Sequence, residues 1–413
     1  MENKNLSDLI NYAATHVEYY RELLNSLDLK AGDIKTVEDL QKLPLLTKSI
    51  VQGRHDSFVS DEHQKFPKNE NVIIKRTSGS TGKYLKIFWD YKDDIKSLIP
   101  LWILRNRYHS ISPAMKFCSF YSVCYDGNKI INLVDKELVQ GGRNLAFSKI
   151  GLTYERIKEI YREILEFNPE WLMLQPSVAY LIAEVVQNEK LPIPSSLKYF
   201  ELSGEYLFDE YRKTIEETFG IKTINMYGCN ETNEIAYEYP DGKLHVISNN
   251  VIVEVIKDNK TVYDEEGDIY VTSLKNYAMP FIRYETGDRG ILHKENKELI
   301  LELKSGRASD FILLENGEKL NSYVFENILE YTNENMSTVI KQFQIIQTDI
   351  NKFTVNLVIR SDYSGWKEAV EESFIQNVKE EKLKNAEWKF VWMDNICPNP
   401  ETGKFKFFIN NVK

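Results

Sequence analysis

A loop rich in glycine and hydroxyl side chains lies between two short apolar runs in the first quarter of the chain. Its two glycines let the backbone approach a ligand closely and adopt positive φ angles. Its four hydroxyl groups and one lysine could surround a phosphate group with hydrogen-bond donors. The loop therefore predicts a nucleotide polyphosphate site, formed by Thr77, Ser78, Gly79, Ser80, Thr81, Gly82 and Lys83.

Spacing and context distinguish this loop from a Walker A P-loop. A Walker A loop joins a strand to a helix and has four residues between its glycines. Here only two residues separate Gly79 from Gly82. The apolar runs on either side, at 72–74 and 84–89, have the composition of strands, so the loop is expected to join two strands. A P-loop kinase or NTPase is disfavoured on both grounds.

The middle of the chain alternates helical periodicity with short strand-like runs. This rhythm predicts a parallel sheet covered by helices, and in such sheets ligands bind beyond the carboxyl ends of the strands. Ser203-Gly204-Glu205 and the segment 227–231 both follow predicted strands. The predicted helices are 157–165, 178–189 and 208–219, and the predicted strands are 171–174, 197–202 and 221–226.

The two ends of the chain have different patterns. A helix pair is predicted over residues 6–27, and a strand-rich region follows residue 243. The last hundred residues have the pattern of a small α+β domain, and the change of rhythm predicts a boundary near 306–310. The strands predicted in these regions are 251–256, 269–273, 281–284, 343–347, 353–359 and 388–392, with helices near 323–331 and 366–378.

Length and charge limit the protein class. A chain of 413 residues is too long for one ordinary core, so two or three domains are expected. A net charge of −10 lacks the basic footprint of a nonspecific nucleic-acid binder. No stretch is long and apolar enough for a membrane span, and no apolar signal region follows the first residues, so a cytoplasmic protein is expected. The four cysteines form no CxxC pair, which disfavours zinc and disulfides.

Five motifs, in this order, give the chain a specific resemblance: the loop at 77–83, then segments 227–231, 283–288, 306–310 and 403–404. With them the chain resembles the ANL superfamily of adenylate-forming enzymes, and within it the phenylacetate–CoA ligase-like branch, which includes coenzyme F390 synthetase and capsule-biosynthesis proteins. The resemblance implies an α/β fold. A large N-terminal domain, 1–307, with helix-covered sheets and a strand-rich subdomain, would bind ATP and an acid. A small mobile α+β domain, 308–413, would carry a catalytic lysine.

The resemblance also implies roles for the first two motifs and for the segment between them. The loop would hold the β- and γ-phosphates of ATP, and Ser203, Gly204 and Glu205 would lie along the adenine and acyl pocket. A strand-end carboxylate without a ligand stays open as the alternative for Glu205. Tyr227 would pack near the adenine, and Gly228 would belong to the same nucleotide site. Glu231 would help to hold Mg²⁺, since a hard cation between phosphate oxygens favours a carboxylate ligand. Asn230 replaces the usual threonine, which leaves its contact with the α-phosphate or the acid open.

The remaining motifs would complete the nucleotide site. Asp288 would accept hydrogen bonds from both ribose hydroxyls, because one carboxylate has two acceptor oxygens. Arg307 would contact ribose and phosphate, and Asp310 would be the hinge of the small domain. Lys404 would reach the acid and the α-phosphate, where an ammonium group offsets the charge that develops during attack on phosphorus.

The expected activity is ATP-dependent activation of a small carboxylic acid, with an aromatic acid favoured by the branch and the acyl group passed to CoA or a phosphopantetheine thiol. The chain ends nine residues after Lys404, so a carrier protein, if used, is expected to be free-standing. An amine acceptor and a non-catalytic nucleotide-binding homologue stay open as alternatives. Phe120, Tyr121 and Tyr125 could line an acyl pocket or be ordinary core aromatics.

Overall fold

The described part of the chain divides into two compact units in the computed structural model. The first comprises Met1–Lys116, Tyr199–Gly204 and Thr223–Lys304, and the second comprises Phe117–Lys198, Glu205–Lys222 and Ser305–Lys413. The division into functional domains at 307/308 stays a prediction. The described residues are 3–64, 71–76, 85–121, 125–126, 129–130, 136–148, 152, 154–307, 311–322, 324–325, 328–329, 332, 339–360, 365–378, 381–397, 399 and 405–412.

Three of the four helices described in the first unit begin at a side-chain cap. The Asn3 side chain accepts a hydrogen bond from the Leu6 N–H at 3.1 Å, and Asp90 accepts one from the Lys92 N–H at 2.9 Å. The helix pair predicted at 6–27 is confirmed. The helices are α1 (Lys4–His16), α2 (Glu18–Ser26), α3 (Lys48–Gly53) and α4 (Tyr91–His109).

A hairpin carries the ends of the glycine loop. Its strands, numbered along the chain, are β1 (Val72–Arg76) and β2 (Lys86–Asp90), which pair antiparallel from Val72↔Asp90 to Arg76↔Lys86. The prediction that the loop joins two strands is therefore confirmed. Residues 77–83 themselves lie outside the described residues.

The larger sheet of the first unit combines one parallel pair with antiparallel neighbours. Its strand order is β14-β13-β15-β16-β17-β12-β11-β10-β9, and β9 runs parallel to β10, as the βα rhythm predicts. The strands are β9 (Tyr199–Ser203), β10 (Thr223–Cys229), β11 (Asn233–Glu238), β12 (Leu244–Val246), β13 (Val251–Lys257), β14 (Lys260–Val262), β15 (Glu266–Ser273), β16 (Tyr284–Glu295) and β17 (Glu298–Arg307).

The strand predicted at 281–284 is wrong, because β16 begins only at Tyr284. Arg283 has a φ of +53°, which interrupts an extended strand. Its side chain is buried and holds this bend in place. Nε and Nη2 each donate to Glu254 at 3.0 Å, and Nη1 donates to the Leu43 carbonyl at 2.6 Å. Local propensity is overridden here by a buried, bidentate ion pair.

The second unit begins with a four-stranded sheet and three helices. Its strand order is β8-β3-β7-β6, with β3 parallel to both β7 and β8, so the alternation of strands and helices is again confirmed. The strands are β3 (Phe117–Tyr121), β6 (Lys136–Val139), β7 (Asn144–Ser148) and β8 (Trp171–Leu174), beside the short pair β4 (Tyr125–Asp126) and β5 (Lys129–Ile130); the helices are α5 (Tyr154–Phe167), α6 (Pro176–Glu189) and α7 (Asp209–Phe219).

The C-terminal residues of the second unit form a small α+β arrangement with its own core, as predicted. The strand order is β22-β21-β20-β23, and the helix predicted near 323–331 falls partly outside the described residues. No helix in the described part of the chain has the length and apolarity to cross a membrane. The elements are β18 (Phe311–Leu313), β19 (Lys319–Asn321), β20 (Ile340–Asp349), β21 (Lys352–Ile359), α8 (Lys367–Gln376), β22 (Glu387–Trp392) and β23 (Phe408–Asn410).

Candidate active site

The tyrosine–glycine motif lies on a bulged strand end, not on the turn that the sequence predicts. Strand β10 was expected to stop at residue 226, but it continues to Cys229 with a register shift between Tyr227 and Gly228. A Cβ at Gly228 would lie 2.7 Å from the Asn233 carbonyl oxygen, so no side chain fits there. The glycine thus allows β11 to approach closely, and Asn230 and Glu231 are presented on the turn that follows.

Glu231 is a buried carboxylate with a hydroxyl donor. The residue is only 5% exposed, and the Tyr284 hydroxyl donates to Oε1 at 2.8 Å across 53 residues of sequence. Burial, together with the nearby carboxylate, raises the pKa of Tyr284, so this phenol stays a donor. A carboxylate placed in this way has the donor chemistry that Mg²⁺ favours alongside phosphate oxygens. No cluster of three or more metal-binding side chains forms among the described residues.

Asp288 has an equivalent partner. The Tyr227 hydroxyl donates to Asp288 Oδ2 at 2.9 Å, which joins two predicted motifs that lie 61 residues apart. The turn before it is fixed by Gly287, with a φ of +80°, and by the Asp288 N–H, which donates to Thr286 Oγ1 at 3.1 Å. Tyr227, Glu231 and Asp288 are therefore brought together by two hydroxyl–carboxylate bonds.

The hairpin β1–β2 is fastened to the same turn by two residues that the sequence did not single out. The fully buried Trp89 donates from Nε1 to the Asn230 carbonyl at 2.9 Å. Lys75 donates from Nζ to Asn233 Oδ1 at 2.6 Å and to Asp94 Oδ1 at 2.5 Å. These bonds fasten the hairpin to the turn that carries Asn230 and Glu231 and to the first residue of β11. No local sequence pattern marks such long-range contacts.

The segment Ser203-Gly204-Glu205 begins where β9 ends, as predicted. Gly204 has a φ of +83°, which turns the chain sharply out of the strand. The Glu205 carboxylate accepts two backbone hydrogen bonds, from the Ser177 N–H at 3.1 Å and the Phe405 N–H at 2.9 Å. A contact between Glu205 and the adenine or the acid stays a prediction.

A buried ion pair lies two residues before the end of β9. Arg105 Nε donates to Glu201 Oε2 at 2.7 Å, and Nη2 bonds to Oε1. Both side chains are 5% exposed or less. The Tyr199 hydroxyl also donates to Glu201 Oε2, at 2.8 Å. Sequence reasoning missed this group because its partners lie 96 residues apart.

Glu234 is another buried carboxylate near this site, and its burial predicts an effect of pH on stability. It is 8% exposed, its Oε2 has no hydrogen-bond partner among the described residues, and burial raises its pKa from 4.5 to about 7. The folded state therefore keeps this proton to a higher pH than the unfolded chain does. Its contribution to stability is present below pH 4.5 and is lost as the pH rises through 7.

We expect Glu234→Gln to raise the free energy of unfolding at pH 8 relative to wild type, by at most about 3 kcal/mol. At pH 4 this advantage should vanish, because the wild-type carboxyl is protonated in both states. Urea unfolding of both proteins at the two pH values measures the difference. The same stability difference at pH 4 and pH 8 would contradict the assignment of a raised pKa.

Several predicted site residues cannot be placed by their side chains. Residues 77–83, Asp310 and Lys404 lie outside the described residues. Arg307 is the last residue of β17, and only its backbone is described. Phe120 is buried and lies against Phe147 with ring centroids 5.5 Å apart, as a core aromatic would. The roles of all these residues remain predictions.

Comparison with known proteins finds related ligases and one family model. Residues 312–411 match the family model of the CapK C-terminal domain. Phenylacetate-coenzyme A ligase of Thermus thermophilus is 25% identical over 312 residues, covering 71% of this chain and 66% of the relative. Its Escherichia coli counterpart is 23% identical, covering 80% and 76%. A crystal structure of 2-hydroxyisobutyryl-CoA ligase in the postadenylation state superposes with a TM-score of 0.73 at 18% identity, covering 98% and 88%.

The α/β fold with its small C-terminal α+β region matches the fold of this CoA ligase, as the resemblance to the ANL superfamily predicts. In sequence, the chain is similar to phenylacetate-coenzyme A ligases, and its C-terminal residues match the CapK C-terminal domain, as the resemblance to the phenylacetate–CoA ligase-like branch predicts. The resemblance drawn from the five motifs is thereby confirmed.

Proposed function

We propose that this protein is a ligase that activates a small carboxylic acid with ATP and then transfers the acyl group to a thiol. The observation that carries the proposal is the pair of bonds Tyr227–Asp288 and Tyr284–Glu231, which brings two nucleotide motifs of the family to one place. The phenylacetate-coenzyme A ligases among its relatives support an acid and CoA as substrates. An aromatic acid is the finer proposal.

In the first step, a carboxylate oxygen of the acid attacks the α-phosphorus of ATP. The bond from that phosphorus to the oxygen that bridges to the β-phosphate breaks, and pyrophosphate leaves with the electron pair. Asp288 would hold the ribose, and Arg307 and the loop at 77–83 would bind phosphate oxygens. Glu231 would hold Mg²⁺, which when bound offsets the phosphate charge. Positioning and electrostatics then supply the catalysis.

In the second step, a thiol sulfur attacks the acyl carbonyl carbon and forms the thioester bond. The bond from that carbon to the phosphate oxygen breaks, AMP leaves with the electron pair, and the thiol proton passes to solvent. We propose that the residues after 307 act as a mobile domain that turns about Asp310 and withdraws Lys404 before this step. Hinged domains switch other active sites between tasks in the same way. The thiol would belong to CoA or to the phosphopantetheine of a separate carrier protein, and an amine is the alternative acceptor.

A screen of acids by ATP–pyrophosphate exchange tests the first step, and offering CoA with the best acid tests the second. Exchange that depends on one class of acid, followed by thioester formation, is the expected result. ATP binding without exchange across a broad panel of acids would instead identify a non-catalytic homologue. Release of inorganic phosphate would indicate an NTPase and would overturn the proposal.

We expect Asp288→Ala to weaken ATP binding by roughly tenfold to a hundredfold and acid binding much less, because one charge-assisted hydrogen bond contributes about 1.5–3 kcal/mol. Titration calorimetry with ATP and with the acid measures both. Tyr227→Phe is the matched control. It removes only the hydroxyl group that donates a hydrogen bond to Asp288, and it leaves the Asp288 carboxylate in place. An equal loss for ATP and acid would indicate misfolding and contradict the ribose role.

A further inference from the structure

The carboxylate of Glu205 joins two backbone N–H groups that are far apart in the sequence of the second unit. Oε2 accepts from Ser177 at 3.1 Å, a separation of 28 residues, and Oε1 accepts from Phe405 at 2.9 Å, a separation of 200 residues. Each oxygen therefore has its own donor. Phe405 is the residue that directly follows Lys404.

One of these bonds fixes the carboxylate in place. Ser177 follows Pro176 at the start of α6, where the first N–H groups of a helix have no intrahelical partner. The Gln175 side chain makes no cap bond there. A carboxylate at a helix N-terminus is favoured by hydrogen bonding and by the helix dipole. Glu205 thus caps a helix whose residues 176–186 are all buried, so its position is firmly set.

The other bond belongs to a wider contact. Lys341 Nζ donates to both carboxylate oxygens of Glu184, at 3.0 and 2.9 Å. The Phe208 ring lies 5.7 Å from that of Phe343, with the planes at 72°. We call this contact the clasp: Glu184, Glu205, Phe208 and Tyr211 on one side, and Lys341, Phe343, Phe405 and Phe407 on the other.

We infer that Glu205 is a positioning residue for the first half-reaction, which fixes the backbone next to Lys404. This inference rests on the proposed function. The bond to the Phe405 N–H holds the chain at the residue that adjoins the predicted catalytic lysine. The clasp must open when Lys404 is withdrawn, while the bond to Ser177 can persist. The Glu205 carboxylate therefore has two roles. It caps helix α6 permanently through the Ser177 N–H, and it binds the Phe405 N–H only while the clasp is closed.

The charge of the clasp suits a contact that forms and breaks. The Lys341 side chain is 24% exposed and that of Glu184 is 11% exposed, so water can reach the pair when it separates. Phe208, Phe343 and Phe405 are partly buried apolar residues packed against the C-terminal core, not members of it. Phe407 is the one clasp residue that belongs to this core, and it lies on the C-terminal side of the contact, so opening the clasp leaves the core residues together.

The test is Glu205→Gln, with Glu217→Gln as the matched control because Glu217 is exposed on α7. In Glu205→Gln, one of the two N–H groups loses its acceptor. We expect ATP–pyrophosphate exchange to fall about tenfold or more, because misplacement of a catalytic group by about 1 Å has effects of this size. Thioester formation from supplied acyl-adenylate should fall much less than pyrophosphate exchange does. An equal loss in both half-reactions would show a merely structural cap and overturn the inference.

A second readout separates this inference from the proposed function. By hydrogen–deuterium exchange without substrates, the Phe405 amide should exchange at least tenfold faster in Glu205→Gln than in wild type and in the control. An unchanged rate overturns the clasp whatever the activity. A wild-type protein without pyrophosphate exchange overturns the proposed function, while faster amide exchange in the variant would still support the contact.

If Glu205→Gln fails to fold, Lys341→Met carries the test, because it leaves Glu205 and its bond to α6 intact. It removes the ion pair with Glu184 and so weakens the clasp from its other end. Pyrophosphate exchange should fall while thioester formation from supplied acyl-adenylate is spared. Loss of both activities together, or of neither, overturns the inference.

Discussion

Replacing Lys404 by alanine should abolish ATP–pyrophosphate exchange and leave thioester formation from supplied acyl-adenylate intact. An ammonium group near the α-phosphate would offset the negative charge that develops during attack, which happens only in the first step. Removing one such stabilising group from other enzymes lowers the rate by about 10²–10³-fold. Radiolabelled pyrophosphate exchange measures the first step, and CoA thioester formation from synthetic acyl-adenylate measures the second.

Lys384→Ala is the control for this experiment, because Lys384 is an exposed lysine in the same C-terminal region. It should change neither half-reaction. Exchange at the wild-type rate in Lys404→Ala would show that the lysine assignment is wrong. Loss of both half-reactions in Lys404→Ala would indicate that this residue has a more general role in the site.

Replacing Arg105 by methionine should lower the free energy of unfolding by about 3–5 kcal/mol. The change leaves the Glu201 carboxylate, which is 0% exposed, without its bidentate partner in the interior. Removing one member of a buried pair is costly because the other charge stays desolvated. Urea denaturation at pH 7 measures the loss.

Two further variants show whether the loss of stability comes from leaving a charge buried without a partner or simply from breaking an ion pair. Lys42→Met breaks an exposed pair with Asp39 and should change stability by less than about 1 kcal/mol. Combining Arg105→Met with Glu201→Leu removes both buried charges and should recover much of the lost stability. A loss in Arg105→Met no larger than in Lys42→Met would contradict the argument.

Much of the fold could be predicted because it depends on local pattern. The alternation of helix and strand from 157 to 226 is set by apolar spacing, and the structure confirms it with parallel pairs. The bend at Arg283 could not be predicted in this way. It is fixed by Glu254, 29 residues earlier, and by the carbonyl of Leu43, which leave no signal in the residues around it.

The candidate site also contains residues that local motifs predict and residues that only distant contacts define. Glu231 and Asp288 could be found because they lie in motifs with characteristic neighbours. Lys75 and Trp89 could not, because a lone lysine or tryptophan on a strand is ordinary, and their roles depend on partners more than 140 residues away. Glu205 was singled out for its place at a strand end, but its donors, Ser177 and Phe405, could only be known from the folded chain.

The two phenols that hold Asp288 and Glu231 have a consequence for work in alkaline buffer. Burial, reinforced by the neighbouring carboxylates, raises the pKa of both Tyr227 and Tyr284 above that of an exposed tyrosine. Neither ring should ionise at pH 9 or 10, where many tyrosines begin to do so. A fall in turnover at alkaline pH would then come from the ionisation of another group. In ultraviolet difference spectra at 295 nm, these two tyrosines should contribute no absorbance change over the pH range in which exposed tyrosines ionise.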